Sequence, residues 1–410
     1  MDQVLVIGAG QFQLSGIRKL KEKNYYVIGI DGDNKCVGRK FCDEFYNIDI
    51  KDYKQILDLI EKKNFNLVGC ISFATEYALR TVALINDKLG LNGLTISDVS
   101  IATSKIKQRE ILKSLDIPSP KFFYLNLGEN VEDKFDANQL MFPCVVKPSD
   151  SAGSRGVNVV KNKAQLQNAI KEARKFSSFD AQIIVEEMIE GIEFTVESFV
   201  YNGEIKTLAI SEKKKPLNNH TVSTELFYNS PLVNNLGNII EETVTTFIKA
   251  CNFKNTITHT EVIYSYKDHK VYIIETTTRS GGFGVFDKVL PFVTGLDIVG
   301  LSIDLSLGNQ ISIDRIQKNP CILRFFSANE GKLINIVEME SIIKGLNDIE
   351  FVFFVNIGDN IGVMVNDGSR IGYLISYGRS WEEVYNKANI LEYSIRFEVL
   401  SSLGSDECGV

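Results

Sequence analysis

The first ninety or so residues alternate short apolar runs with amphipathic stretches, and this alternation restricts the fold more than any other feature. "VLVIGAG" and "YYVIGID" are apolar runs closed by Gly or Asp, and "LVGCISF" is a third. Between them "DYKQILDLIEKKN" places Tyr53, Ile56, Leu57 and Ile60 on one helical face. Short strands separated by helices predict a parallel, βαβ sheet. "SDVSIATSKIKQREILKSLDIPSP" then predicts helices opened by Ser97 or Asp98 and stopped before Pro118.

From Phe142 the pattern changes. "FPCVVKP" and "VNVVK" are strands around the small-residue loop "SDSAGSRG", and "KAQLQNAIKEARK" is a helix. The strands "QIIVEE", "EFTVESFV" and "EIKTLAIS" follow, then an irregular polar segment at 212–235 that reads as a mobile loop. A helix near 236–252 leads to the strands "THTEVIYS" and "VYIIE". The last ninety residues predict a small α+β module with strands such as "GVMV" and "IGYLIS", then the helix "SWEEVYNKANIL" with Trp381 in the core.

Composition narrows the function. A chain of 410 residues predicts two or three domains, and 44% hydrophobic with 24% charged residues is soluble globular composition. No apolar run approaches the roughly 20 residues that span a bilayer, so no membrane partner is expected. The start "MDQVLVIGAG" has no basic region of a signal peptide. Seven scattered cysteines without a CxxC pair read as reduced thiols, and the expected location is the cytoplasm. A net charge of -7 carries no footprint for nucleic acid, and three histidines argue against a His-rich zinc site. The expected partner is a small molecule.

Three polar constellations interrupt the apolar pattern. "THTEVIYS" and "VYIIE" flank the turn "KDHK" and should form a hairpin. A turn of odd length centred on Asp268 sets Glu261 opposite Glu275, whereas a two-residue turn shifts the register by one. Facing carboxylates are unfavourable without a cation, and Mg²⁺ prefers such oxygens. Thr277 falls on the same strand face as Glu275. The loop "KPSDSAGSRGV" offers backbone N–H groups and Lys147 to phosphate oxygens, although it lacks GxxxxGK[ST]. "IIVEEMIEGIEFTVE" joins two strands through Gly191, where backbone can read a base edge and Glu193 can accept from ribose hydroxyls. A bare hairpin, a bare turn and an acidic connector are the plain readings of the same three segments.

In this order the segments resemble the ATP-grasp superfamily of carboxylate–amine and carboxylate–thiol ligases, over nearly the whole chain. Within it, "GLDIVGLSIDLSLG" and the C-terminal module resemble the biotin carboxylase, carbamoyl-phosphate synthase and L-amino-acid ligase branch. The resemblance implies a Rossmann-like pre-grasp domain at 1–100 and an ATP-grasp domain at 101–315 with a lid at about 120–200. A C-terminal α+β module at 316–410 completes it.

By the same resemblance Lys105 and Lys147 hold ATP phosphates, and Gly153, Ser154 and Gly156 cover them. Glu186, Glu187, Met188 and Ile189 line the adenine, and Glu193 holds the ribose. Lys213 of "EKKK", otherwise a solvated turn, is the lysine expected at the γ-phosphate. Glu261 and Glu275 bind Mg²⁺ (Mn²⁺ can substitute), with Thr277 where the family pattern Glu-x-Asn-x-Arg has Asn. Arg279 stabilises the transferred phosphoryl group, and Gly10, Gln11, His259, Gly281 and Gly282 face substrate. A packed structural histidine is the plain reading of His259.

The implied activity is an ATP-dependent ligase that forms an amide through an acyl phosphate, on an amino acid or other small carboxylate and an amine. A bicarbonate-activating synthetase is the alternative within the class, and a homodimer is compatible with either. From another class, "GAGQFQ" with Asp31 half-matches GxGxxG of nicotinamide-dependent oxidoreductases, but Gln13 stands at the third glycine. A catalytically silent nucleotide-binding module is the remaining alternative.

Overall fold

The computed structural model describes residues 1–134, 140–177, 182–216 and 222–400. The N-terminal sheet contains β1 (Gln3–Ile7), β2 (Tyr26–Asp31), β3 (Glu44–Asn47) and β4 (Leu67–Ile71) in the order β3-β2-β1-β4, all parallel. Val4 and Val6 of β1 pack with Ile17 and Leu20, while Leu5 and Ile7 pack with Ile56 and Ile60. A strand covered on both faces must be apolar throughout, which explains "VLVI". The helix Tyr53–Lys63 is capped by Asp52, whose carboxylate accepts from Gln55 N–H.

Two short helices lead out of this sheet. Thr95, rather than Ser97 or Asp98, caps Ile96–Ala102, and Asp98 answers it from inside the helix in a capping box. Ser104 caps the next helix, Lys105–Ser114, which ends before Pro118 as expected. That cap fixes Lys105 in the first turn.

A second, antiparallel sheet holds β5 (Phe122–Leu125), β6 (Cys144–Pro148), β7 (Asn158–Val160) and β8 (Ile183–Glu187), ordered β5-β8-β6-β7. The helix Lys163–Arg174 covers it with Leu166, Ala169, Ile170 and Ala173.

The largest sheet has eight antiparallel strands in the order β13-β12-β9-β10-β11-β14-β18-β16. These are β9 (Gly191–Tyr201), β10 (Glu204–Lys214), β11 (Glu225–Tyr228), β12 (Thr256–Ser265), β13 (Val271–Thr277), β14 (Cys321–Phe325), β16 (Ile349–Phe353) and β18 (Gly372–Tyr377). A small sheet of β15 (Gly331–Glu338), β17 (Asn360–Ile361) and β19 (Ile395–Leu400) sits beside its end. Because β11 pairs with β14, the large sheet runs across residue 315 without a break.

Along β9 the alternation is strict. Phe194, Val196 and Val200 pack with Val244, Phe247 and Ile248 of the helix Pro231–Ala250, which leaves Glu193, Thr195 and Glu197 on the opposite face. That face becomes the floor of the site.

Several local expectations change. "EKKK" is the end of β10 rather than a solvated turn, because Lys213 and Lys214 pair with Leu226 and Glu225. The supposed loop at 212–235 contains β11, and its residues 217–221 lie outside the described residues. Ser230 and Pro231 open the following helix five residues early, as a cap and a first-turn proline do. "GVMV" carries no strand, since pairing there is confined to Asn360 and Ile361. Trp381 opens the helix Trp381–Tyr393 and stacks edge-on against Phe227 as a half-buried residue.

Among the described residues no single helix is long and apolar enough to cross a membrane. One bent pair, Val285–Thr294 with Ile298–Leu307, passes on length and composition alone, and its apolar residues such as Leu290 and Ile303 belong to the core.

Candidate functional site

A cavity of about 810 Å³ lies over the polar face of β9, β10, β12 and β13. Its walls come from the β6–β7 loop, the end of β8, the connection after β4 and a turn before β18.

The β12–β13 hairpin places the two glutamates by a different route from the expected one. Its turn is even, with Ser265 N–H bonded to Lys270 O and Tyr264 facing Val271. That register alone would set Glu261 against Ile274. A bulge at Ile274 shifts it by one, so Glu261 faces Glu275, Thr260 faces Thr276 and His259 faces Thr277.

β13 is the edge of the sheet, and its open backbone groups are taken by side chains of the helix Lys105–Ser114. Gln108 donates to Thr276 O at 2.8 Å and accepts from Thr276 N–H at 2.9 Å. Arg109 donates to Ile273 O at 3.2 Å and to Ile274 O at 2.7 Å, on either side of the bulge. Lys105, on the same helical face, lies 2.8 Å from Glu275 and donates to Ser151 O at 2.8 Å. One helix face therefore fixes the strand edge, the glutamate and the start of the small-residue loop.

Every carboxylate on the floor has a cation beside it. Glu186 sits between Lys147 and Arg109, the latter at 3.0 Å, and all three are buried. Lys213 lies 2.7 Å from Glu261, and Lys215 lies 2.5 Å from Glu193. His259 Nδ1 is 2.5 Å from Glu197, which also accepts from Gly281 N–H at 3.2 Å. Arg279 reaches Glu76 of the β4 connection at 3.1 Å.

These pairs set the protonation states. Burial works against the charge of Glu186, but Arg109 and Lys147 hold its pKa below the usual carboxylate value. Burial lowers the pKa of Lys147, with Glu186 opposing. Burial also opposes charge on Glu261, yet Lys213 and His259 hold its carboxyl well below the ordinary range. For His259 the Glu197 carboxylate outweighs burial and lifts the pKa to about 9.

Among the expected nucleotide contacts, Lys105, Lys147, Gly153 and Ser154 line the cavity, as do Glu186 to Ile189, Glu193 and Lys213. Gly153, Ser154 and Gly156 all have positive φ, so the loop needs glycine at two of three bends; Gly156 itself lies behind the wall against Pro148. His259, Glu261, Glu275, Arg279, Gly281 and Gly282 also line it. Thr277 shares their strand face, but its buried hydroxyl has no hydrogen-bond partner among the described residues and lies outside the lining.

The turn after β1 differs more. Gly10 and Gln11 do not reach the cavity wall, and Phe12 does. Gln13 folds back inside the turn, bonding to Phe73 N–H at 2.7 Å and to Phe73 O. Asp31 accepts from Ala9 N–H at 2.6 Å. Gln13, at the motif's third glycine position, is thus committed to Phe73, and Asp31 to the glycine turn itself.

Sequence reasoning missed Glu76, Arg109, Glu197, Asp367 and Arg370. Only Glu197 carried a local signal, as the next even step after Glu193 and Thr195 on β9. The others meet the site through contacts far along the chain.

The donor set suits a hard cation that takes most of its ligands from phosphate and water. Glu261 and Glu275 present facing carboxylates, and no group of three or more His, Cys, Asp or Glu occurs among the described residues to hold a metal alone.

Comparison with known proteins agrees with this geometry. Residues 140–287 match the family described as the ATP-grasp domain. The chain is 24% identical over 331 residues to the carbamoyl phosphate synthase large chain of Clostridium acetobutylicum. That match covers 75% of this chain and only 29% of the relative's length. The L-amino acid ligase of Bacillus licheniformis superposes with a TM-score of 0.83 at 20% identity, covering 98% of this chain and 99% of the other. The biotin carboxylase domain of the Hydrogenobacter thermophilus 2-oxoglutarate carboxylase, solved with MgADP and bicarbonate, gives 0.76 at 19% identity, covering 97% and 90%. ATP-grasp enzymes in general use ATP and Mg²⁺. Residues 140–287 thus match the ATP-grasp domain family, and the chain as a whole shares its fold with these solved ligase and carboxylase structures.

Proposed function

We propose that this chain is an ATP-dependent carbon–nitrogen ligase joining a small carboxylate, most simply an amino acid, to an amine. The observation that carries this reading is the facing pair Glu261 and Glu275, each beside a lysine, at the foot of the small-residue loop. Phosphoryl transfer asks a protein chiefly for positioning and charge neutralisation, which such a floor supplies.

In this reading Lys105 and Lys147 hold the phosphates, and the segment Glu186 to Ile189 receives the base. Glu261 and Glu275 would hold Mg²⁺, which when bound neutralises phosphate charge. A substrate carboxylate oxygen attacks the γ-phosphorus, and the bond to the β–γ bridging oxygen breaks to release ADP. Arg279 and Lys213 meet the charge that develops. The amine then attacks the acyl carbon and loses a proton, and inorganic phosphate leaves. The loop at Gly153 and Ser154 keeps water from the acyl phosphate. We place this chemistry in the cytoplasm, with the unit at 101–315 acting between a pre-grasp unit and a C-terminal module that shares its sheet.

The test is ADP release with Mg²⁺ and pooled small carboxylates and amines, deconvoluted to single pairs. Release that depends on both an organic acid and an amine is expected. Release with bicarbonate as the acid would favour the carboxylating alternative, and a nicotinamide absorbance change without ADP would overturn the ligase reading.

A further inference from the structure

The turn before β18 sends an arginine into the cavity from the C-terminal part of the chain. Arg370 lines the wall, and its side chain is only 5% exposed. Its guanidinium carbon lies 3.4 Å from the Phe325 ring centroid and 4.7 Å from that of Phe283. The two rings stand edge to face with centroids 5.5 Å apart, so they cover adjoining sides of the guanidinium, and its hydrogen-bonding edge is what remains to offer.

The described polar contacts of that edge all fall on one nitrogen. Nη2 donates to Ser223 O at 3.2 Å and Ser223 Oγ at 3.0 Å, and lies 2.9 Å from Asp367. Nε is buried with no hydrogen-bond partner among the described residues. A guanidinium has five N–H donors, and an unpaired buried donor costs free energy unless a ligand takes it. Asp367 and Gly368 line the same wall, and Asp367 N–H reaches Gly153 O of the small-residue loop at 3.4 Å. The turn thus touches both the cavity and the loop expected over the phosphates.

We propose that Arg370 is a specificity-determining residue that binds the carboxylate of the small-molecule substrate. With Nη2 taken by Ser223 and Asp367, the donors left for a ligand oxygen are those of Nη1 and Nε, and the neighbouring Phe325 and Phe283 rings suit an apolar group beside that anion. The floor lysines stand beside the glutamates and in the ligase reading serve phosphate, whereas Arg370 comes from the turn before β18 and stands beside Phe283 and Phe325. An oxyanion at this edge could be carboxylate or γ-phosphate, and the acid's dependence separates the two. The proposal rests on the ligase reading for the identity of its ligand.

The experiment uses the full chain with a non-hydrolysable ATP analogue and Mg²⁺. Thermal shift is recorded for each of the common L-amino acids and for its carboxamide, in wild type, Arg370→Gln and Arg370→Lys. Wild type should be stabilised by at least one acid and not by its amide. In Arg370→Lys, which keeps the charge and loses the guanidinium's remaining donors, the half-saturating acid concentration should rise about tenfold or more, with analogue affinity unchanged. Equal loss of analogue affinity would assign Arg370 to phosphate and overturn the proposal. So would unchanged acid dependence in both variants, or a wild type that no acid stabilises. Acid binding that never leads to ADP release with any amine would instead defeat the ligase reading and leave Arg370 in place.

Discussion

Glu261 faces Glu275 across β12 and β13 because Ile274 is bulged between them, and Arg109 bonds the carbonyls of Ile273 and Ile274 that bracket the bulge. Two carboxylates on adjacent strands gain from a shared cation and lose without one. Glu275→Gln should therefore cut ADP release by about a hundredfold or more, as loss of metal-held charge at a phosphoryl group costs several kcal/mol. Titrating Mg²⁺ against ADP release checks this. Full activity in the variant would remove Glu275 from metal binding.

Thr277 offers a hydroxyl where an amide would reach farther, and that hydroxyl lacks a hydrogen-bond partner among the described residues. Thr277→Asn should lower the Mg²⁺ needed for half-maximal ADP release while leaving ATP affinity unchanged. An unchanged or higher requirement would show that position 277 stands apart from the cation.

Lys147 and Arg279 should separate in kinetics. Lys147 is buried against Glu186 and is read as a ground-state phosphate contact, whereas Arg279 is tied to Glu76 and is read as meeting charge that develops in the transition state. Lys147→Ala should weaken nucleotide binding, and Arg279→Ala should lower turnover with binding kept. Calorimetry beside ADP release decides, and parallel loss of binding in both would refute the division.

Arg109 carries stability as well as geometry. It is fully buried, and removing it leaves Glu186 with Lys147 alone and strips two carbonyls of their donors. Arg109→Ala should destabilise the protein by about 3–5 kcal/mol, the usual result of breaking a buried pair from one side. Urea unfolding measures it, and a change within the error of the melts would count against the pair as a structural support.

The pair of His259 and Glu197 predicts a pH dependence of the nucleotide-free protein. The folded pKa of His259 is raised to about 9. Its stabilising contribution is fully present below the unfolded value of about 6.5 and is lost as pH rises through 9. His259→Gln should flatten the stability curve between those limits. A wild-type curve already flat there would show that Glu197 does not hold the proton on His259.

Much of the fold is legible in the sequence. The "VLVI" run marks a strand of a parallel βαβ sheet, "DYKQILDLIEKK" marks a helix beside it, and the hairpin around "KDHK" is marked by its turn residues. These signals are local, because periodicity and turn chemistry act over a few residues. The polar end of β10 was misread as a loop for the same reason. Lys213 looks solvated until β11 and Glu261 are brought beside it.

The sequence by itself determined the elements, the small-residue loop and the two glutamates on neighbouring strands. Tertiary structure alone decided what stands beside them. Arg109 bonds the carbonyls at the Ile274 bulge from more than 160 residues away, and Arg279 meets Glu76 across 203 residues. Arg370 reaches Ser223 over 147 residues. Such partners are chosen by the burial of charge, since a buried ion needs an opposite ion or hydrogen bonds from whatever segment the fold delivers. No local pattern records that choice.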